Sequence, residues 1–252
     1  MHLRLIQSKF KPQYLPIIRR IYDTKIIPEL KKMPGCLCVC LVKSDFHQDE
    51  GISLSLWDSQ EHAEAYAKSG LYEKFLSEIK PYLSDSSEWK IHLSEELTLE
   101  YQPVQEEPVL KAYTTLAQDH DKIPLKEDVS LMCVRILSLK IQTGKMDEFN
   151  KIYDETILPA LNKVKGCRYA FVTGNAEDPD EALCLTLWDS KQDAIQFESS
   201  GLFDQLIDQV RHTLSALFQW KMGLEKDSSQ KVVTSDDMSV KYYKMVTGKS
   251  FK

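Results

Sequence analysis

The chain alternates between two hydrophobic rhythms, and it does so twice. Leu3 to Lys9 reads as a first strand, short and part apolar, part polar. Ile17, Ile18, Ile21 and Tyr22 then recur at i, i+3, i+4 spacing, the stripe of an amphipathic helix. Pro28 falls inside this region. Proline has no N–H to give and its ring crowds the preceding turn, so a kink or restart is expected there, with one more turn after it. Gly35 follows, where a helix would end in a left-handed residue. Two strands come next, Cys36 to Val42 and Ile52 to Trp57, joined by a polar connection holding Asp49 and Glu50. In the second, Ile52, Leu54 and Leu56 share one face, and Ser53, Ser55 and Trp57 the other. Asp58 with Glu61 three residues on has a capping-box pattern, which predicts a helix opening at Asp58. Gly70 interrupts that helix, a further helical stretch runs from Leu71 to Leu83, and Trp89 to Leu93 closes the unit as a fourth strand.

The whole succession returns at a constant offset of 131, residues 1–91 on 132–222 without a gap, and 27 of the 91 aligned pairs are identical. Ile21-Tyr22-Asp23…Pro28…Gly35-Cys36 matches Ile152-Tyr153-Asp154…Pro159…Gly166-Cys167, and Leu56-Trp57-Asp58-Ser59 matches Leu187-Trp188-Asp189-Ser190. Two copies of a domain-sized unit predict a fused pseudo-dimer rather than a solenoid. The order β-α-β-β-α-β in each copy is the ferredoxin-like topology, an α+β fold. Helices would cover one face of each four-stranded sheet. The other face, to which Trp57 is assigned, is too apolar to meet water. Packing the two sheets face to face within the chain answers that and gives an intramolecular dimeric α/β-barrel.

The expected boundaries are a first domain at 1–93, a linker at 94–130, a second domain at 131–224 and a tail at 225–252. The second fourth strand would be Trp220 to Leu224. The linker holds nine acids against Lys111, Lys122 and Lys126, which by itself accounts for the net charge of −6. Leu97 to Tyr101 reads as an edge strand and Val109 to Gln118 as a short helix. In the tail, Val240 to Val246 reads as another edge strand, both edge strands being candidates to cross to the other module, and 225–238 as a mobile stretch. With no basic stripe, nucleic acid and anionic membranes are not expected partners. No run approaches the length of a membrane span and no leader is evident, so a cytoplasmic protein is expected, a monomeric pseudo-dimer or a further homodimer. Cys36, Cys38 and Cys40 alternate onto one face of a strand with no further ligands near, so they read as reduced, apolar cysteines, and no metal site is expected.

At its Leu-Trp-Asp-Ser and Ile-Tyr-Asp…Pro…Gly-Cys elements the chain resembles the antibiotic-biosynthesis-monooxygenase superfamily of dimeric α+β barrel proteins. The resemblance covers nearly all of both modules. It implies cofactor-independent oxygenation of a small aromatic, quinol or polyketide-like compound, although one fold of this kind hosts several chemistries. Haem-degrading members resemble this chain around the strand-3 tryptophan but need an axial histidine in the helix after it. Leu76 and Ile207 stand at the matching positions, Tyr66 and Phe197 replace a tryptophan, and Ile6 and Leu137 an asparagine. No cofactor is therefore expected.

Cofactor-free oxygenation needs a flat apolar pocket, a base and a donor or cation for charge on reduced oxygen. Tyr22, Trp57, Tyr66 and Trp89, with Tyr153, Trp188, Phe197 and Trp220 in the second copy, could line such a pocket or simply pack the core. Arg4 and Arg135 recur on strand 1 as oxyanion partners or as members of inter-module ion pairs. His62 and His92 are candidate bases whose counterparts are Asp193 and Gly223, so either would make module one the active half. The competing function is a non-catalytic small-molecule-binding or assembly protein.

Overall fold

The computed structural model describes residues 1–93, 99–105, 108–118, 129–175, 178–216, 219 and 238–251, with backbone alone for 85–93, 99–105, 109–110, 112–114 and 117–118. Module one consists of β1 (His2–Lys9), α1 (Leu15–Ile21), α2 (Ile27–Leu30), β2 (Cys36–Ser44), β3 (Glu50–Trp57), α3 (Gln60–Lys68) and α4 (Leu71–Ile79). A hairpin of β4 (Asp85–Leu93) and β5 (Leu99–Gln105) follows, then β6 (Val109–Gln118). Module two repeats the plan with β7 (Cys133–Lys140), α5 (Met146–Ile152), α6 (Leu158–Leu161), β8 (Cys167–Asn175), β9 (Glu181–Trp188), α7 (Lys191–Ser199) and α8 (Leu202–Val210), and β10 (Met238–Ser250) comes last.

Eight strands close into one antiparallel barrel in the order β1-β3-β2-β10-β7-β9-β8-β6. Read from β6 and from β10, each half has the ferredoxin-like order with its fourth strand beside its first. That fourth strand is not the one the repeat suggested. Trp89–Leu93 does form a strand, but within β4, which pairs with β5 in a separate two-stranded sheet. The barrel position belongs to β6, and Val109 to Gln118 is therefore strand and not helix. Its ladder with β1 places Ala112 opposite Arg4, and its other edge pairs with β8 of module two. The strand expected at Trp220 to Leu224, and the stretch 225–237, lie outside the described residues. The tail strand is present and longer than expected: β10 pairs with β7 of its own module and with β2 of module one. Both fourth strands thus stitch one module to the other.

Alternation along each strand sends one set of side chains into the barrel and the other under the helices. Leu3, Leu5, Cys38, Cys40, Leu54, Leu56, Val134, Ile136, Tyr169, Phe171, Leu185, Tyr243 and Met245 fill the interior. Outside, Trp57 joins Phe10, Ile18, Tyr22, Leu30, Tyr66 and Phe75 in a second core, and Trp188 joins the equivalent cluster of module two. Trp57 was assigned to the sheet-to-sheet face; its parity with Ser53 and Ser55 puts it under the helices instead. At one end of the interior Glu50, 6% exposed, accepts from the Tyr243 hydroxyl (3.0 Å) and from Gln7 Nε2 (3.1 Å), joining β3 to β10 by a buried carboxylate.

Pro28 does not break its helix. A single π-helical turn, Tyr22–Ile26, precedes it, and Tyr153–Ile157 does the same before Pro159. The wider turn absorbs the missing N–H, as such bulges do. Gly35 (φ 74°) and Gly166 (φ 86°) are left-handed, yet they sit at the mouth of the following strand, beyond the helix end. A Cβ on Gly35 would lie 2.2 Å from His62 Nδ1, so helix α3 also forbids a side chain there. The cap of α3 is Ser59, whose hydroxyl accepts from the His62 amide, and Ser190 caps α7 in the same way; the sequence reading had placed the cap one residue early, at Asp58.

Deleting 238–252 would expose an edge on both β2 and β7 and remove Tyr243 and Met245 from the interior. We expect the truncated chain to unfold at a lower urea midpoint than the full chain and to show a larger mass by light scattering; an unchanged midpoint would show that β10 is dispensable.

Candidate active site

Each module encloses a cavity between the outer face of its sheet and its helices. Cavity one, about 60 Å³, is lined by Ile6 and Ser8 from β1, Ser53 and Ser55 from β3, Tyr22, Ile26 and Leu30 from the first helical segment, and Tyr66, Tyr72, Phe75, Leu76 and Ile79 from α3 and α4. Cavity two, about 40 Å³, is lined by equivalent positions with Arg135 and Phe149 added. A third void of about 50 Å³ lies inside the barrel among Leu3, Cys38, Cys40, Leu56, Tyr169, Phe171 and Met245. A cavity that holds benzene measures roughly 150 Å³. An aromatic ring can therefore enter cavity one only by displacing side chains, and Tyr72, Leu76 and Ile79, all half-buried on α4, are the ones at its outer wall. Of their counterparts, Ile207 and Val210 are buried and Phe203 is half-buried.

The two cavities share a frame and differ in polarity. In each, the strand-3 tryptophan is fully buried and donates along its own strand: Trp57 Nε1 to Ser55 Oγ at 3.0 Å, Trp188 Nε1 to Thr186 Oγ1 at 2.8 Å. Each also stacks on the next helix's aromatic, Tyr66 or Phe197, with ring centroids 5.3 Å apart. The tryptophans stand behind the cavity wall, while Tyr22, Tyr66, Tyr153 and Phe197 form it. The side chain of Trp89, and the whole of Trp220, lie outside the described residues. Around this frame four hydroxyls of cavity one are replaced in cavity two: Ser8 by Leu139, Ser53 by Cys184, Tyr66 by Phe197 and Tyr72 by Phe203. Burial pushes the Tyr22 phenol up to about 12, against the opposing effect of its hydrogen bond with Ser53, so it is a neutral donor at any physiological pH. Burial also raises Tyr66, with nearby Arg4 working the other way. Tyr153 is raised by burial, with the Cys184 thiol beside it.

Arg4 and Arg135 both lie under the helices, since they alternate with the interior residues Leu3, Leu5, Val134 and Ile136. Neither makes an inter-module ion pair among the described residues. Arg135, 3% exposed, donates from Nε to Glu198 Oε1 of its own module at 2.8 Å, and packs 4.5 Å from the Phe203 ring centroid. Arg4 rests on the rings of Tyr66 and Tyr72.

Of the candidate bases, His62 lies on the exposed first turn of α3, bonded through Nδ1 to Asp58 at 2.6 Å, and is not part of the cavity wall. It belongs to the helix terminus, where its hydrogen bond holds the Asp58 carboxyl below its usual range. His92 pairs in backbone register with Glu100 in the β4–β5 hairpin, and its side chain lies outside the description. A histidine that the sequence reading passed over is His2. It is 7% exposed, its Nδ1 has no hydrogen-bond partner, and burial, then the charge of Arg4, lowers its pKa. The signal was the two-residue period: His2, Arg4, Ile6 and Ser8 share one face, and the strand begins one residue earlier than Leu3. Among the described residues no group of three or more His, Cys, Asp or Glu could hold a metal, and Ile6, Tyr66 and Leu76, the positions compared with haem-degrading proteins, all line cavity one without offering an imidazole.

A single-chain barrel of two βαββαβ halves, each with a cavity beneath its helices, defines the dimeric α+β barrel class. The chain belongs to the antibiotic biosynthesis monooxygenase family, whose domain matches residues 1–78 and again 132–209. Among solved structures it is similar to a protein assigned as a monooxygenase from Lactobacillus acidophilus (TM-score 0.68, 7% identity, 99% of this chain and 95% of that one). A protein with the same assignment from Fusobacterium nucleatum gives a TM-score of 0.68 at 8% identity, over 99% and 94% of the two chains. An anthrone oxidase-like protein gives 0.56 at 13%, over 99% and 93%. At these identities the likeness is one of fold. No curated protein sequence matches the chain.

The two arginines give a stability contrast. Glu198→Ala strands a buried guanidinium and should cost about 3 kcal/mol, the low end for breaking a buried pair because Glu198 is 29% exposed. Arg4→Met removes a buried charge without a carboxylate partner and should change stability by less than about 1 kcal/mol, or raise it. Urea denaturation of both variants measures this; equal losses would refute the asymmetry.

Proposed function

We propose that this protein is a cofactor-independent monooxygenase that acts on a small aromatic, quinol or polyketide-like compound, with module one as its working half. The observation that carries the reading is the set of hydroxyls on cavity one, Ser8, Ser53, Ser55, Tyr22, Tyr66 and Tyr72, within a family of monooxygenase type. Aliphatic walls hold a flat ring and keep water from it, and the hydroxyls donate to oxygen atoms at its edge.

The chemistry balances without a cofactor. A substrate carrying an acidic ring C–H or phenol loses a proton, and the resulting anion reduces O2. The new C–O bond forms as a hydroperoxide, which takes up the proton and expels water, so that a ring CH2 and O2 become C=O and H2O. Cavity one supplies no carboxylate or imidazole among its lining residues. Its contribution is to favour the anion: the positive charge of Arg4 stands at its edge, and neutral Tyr22 and Ser53 donate to developing negative charge. For module two the structural reading is favoured, because four of these hydroxyls are gone and its arginine is engaged. The expected location remains the cytoplasm, which six free thiols support, and among the described residues no helix is long and apolar enough to cross a membrane. A barrel complete within one chain supports a monomer.

Oxygen uptake with a panel of anthrones, hydroquinones and naphthols tests the proposal. Turnover should fall on the order of tenfold to a hundredfold in Tyr22→Phe, with a far smaller change in Tyr153→Phe. Absence of turnover across the panel would refute the proposal, and equal effects in the two modules would refute the assignment to module one. The acid limb of the rate profile should belong to the substrate and move with its acidity, because Tyr22 stays protonated up to about 12. A limb fixed at one pH across substrates would assign it to a protein base instead, His2 first.

A further inference from the structure

The arginines of β1 and β7 are equivalent in position and opposite in circumstance. Arg135 donates from Nε to Glu198 Oε1 at 2.8 Å; its Nη2 lies equally near that oxygen but is not hydrogen-bonded to it, and Tyr242 stands opposite on the neighbouring strand. In module one the residue equivalent to Glu198 is Ala67, and the residue opposite Arg4 in the ladder is Ala112. Arg4 is as buried, 5% exposed, yet its Nη1 makes only one long bond, 3.3 Å to the carbonyl of Ala63, and its Nε has no partner. The guanidinium centre lies 5.1 Å from the Tyr66 ring and 5.7 Å from the Tyr72 ring. Those ring faces offset only part of the cost of taking a cation out of water. Burial lowers the affinity of Arg4 for its proton, and the largest opposing influences are phenols, Tyr66 and then Tyr72. Among the described residues Arg4 makes no ion pair. The charge that is bonded to a carboxylate in one half of this chain is, among the described residues, without a bonded carboxylate in the other, where Glu73 acts only from a distance.

We propose that module one binds an aromatic oxyanion, a carboxylate or a phenolate, whose charged group takes on Arg4 the place that Glu198 takes on Arg135. The inference rests on cavity one being the ligand site and adds the charge of the ligand. Tyr66 and Tyr72 carry the argument, because each touches the guanidinium with its ring and also lines the cavity. An anion on Arg4 is therefore continuous with a ring seated between β3 and α4. The Glu198 side chain is 29% exposed, and the short Ala67, half-buried, occupies the same point of α3. A planar carboxylate meets the Nε edge of a guanidinium through two parallel hydrogen bonds, which a neutral amide of the same shape cannot reproduce.

The full chain is titrated calorimetrically at pH 7 with 2-naphthoate, with 2-naphthamide as the neutral isostere, and with 2-naphthol over a pH series. Naphthoate should bind at least tenfold tighter than the amide. If the phenolate is the preferred oxyanion, naphthol affinity should instead rise as the phenol ionises. Ala67→Glu builds the module-two ion pair into module one; it should abolish this binding and raise the urea midpoint. Arg4→Met should abolish it while the chain stays folded. The proposal is overturned if the amide binds as well as either anion, if none of the three binds, or if Ala67→Glu leaves binding intact. Anion binding blocked by Ala67→Glu, with no oxygen uptake on any substrate, would sink the monooxygenase reading and leave this site standing. Turnover insensitive to both variants would do the reverse.

Discussion

Closure of the barrel is the constraint on which everything else depends. A four-stranded sheet covered by helices on one face still has an apolar second face and two open edges. Here the second face of each half is satisfied by the other, with Leu54 and Leu56 meeting Leu185 and Leu187 in one interior cluster. The edges are satisfied by β6 and β10, each hydrogen-bonded to a strand of both modules. Once the interior is closed, the alternation of every strand is fixed, because slipping by one residue would exchange the two faces. That fixed parity is what holds Arg4, Ser53, Ser55 and Trp57 under the helices and so determines what the cavity can contain.

Much of this was legible in the chain. The repeat, the strand periods and the order of elements gave two modules and a barrel, because those patterns reflect burial, which each strand must satisfy locally. The fourth strand was misread for an instructive reason. Trp89 and Trp220 recur in both copies, and recurrence suggested the barrel, whereas β6 and β10 match only at Lys111 with Lys241 and Tyr113 with Tyr243, and at an offset of 130 that falls outside the ungapped repeat. What selects them is pairing across the pseudo-twofold, a long-range condition with no local signature. Val109–Gln118 looked helical for the same reason: its strand character comes from β1 and β8 on either side.

The candidate site was legible in its residue types more than in its arrangement. Tyr22, Tyr66 and the two arginines were visible as recurring positions. That Trp57 backs the wall, that His62 belongs to a helix cap, and that Glu198 answers only one arginine depend on which residues meet through space. The most informative sequence comparison proved to be between the copies. In a homodimer both sites carry every substitution. In a fused chain one half could keep the frame, Trp188 on Thr186 and Phe197, and give up its hydroxyls, while the other kept them.

The strand β10 also bears on the order in which the molecule can be made. Cys40 pairs with Gly248, and Val42 with Met245, so one edge of the first module waits for residues synthesised after the whole of the second. On the ribosome, module one emerges with the outer edge of β2 unpaired and its leucine-rich inner face uncovered. Such an edge is the kind that recruits a wrong partner. Fusing the two halves removed the need to find a second chain, and replaced it with a wait.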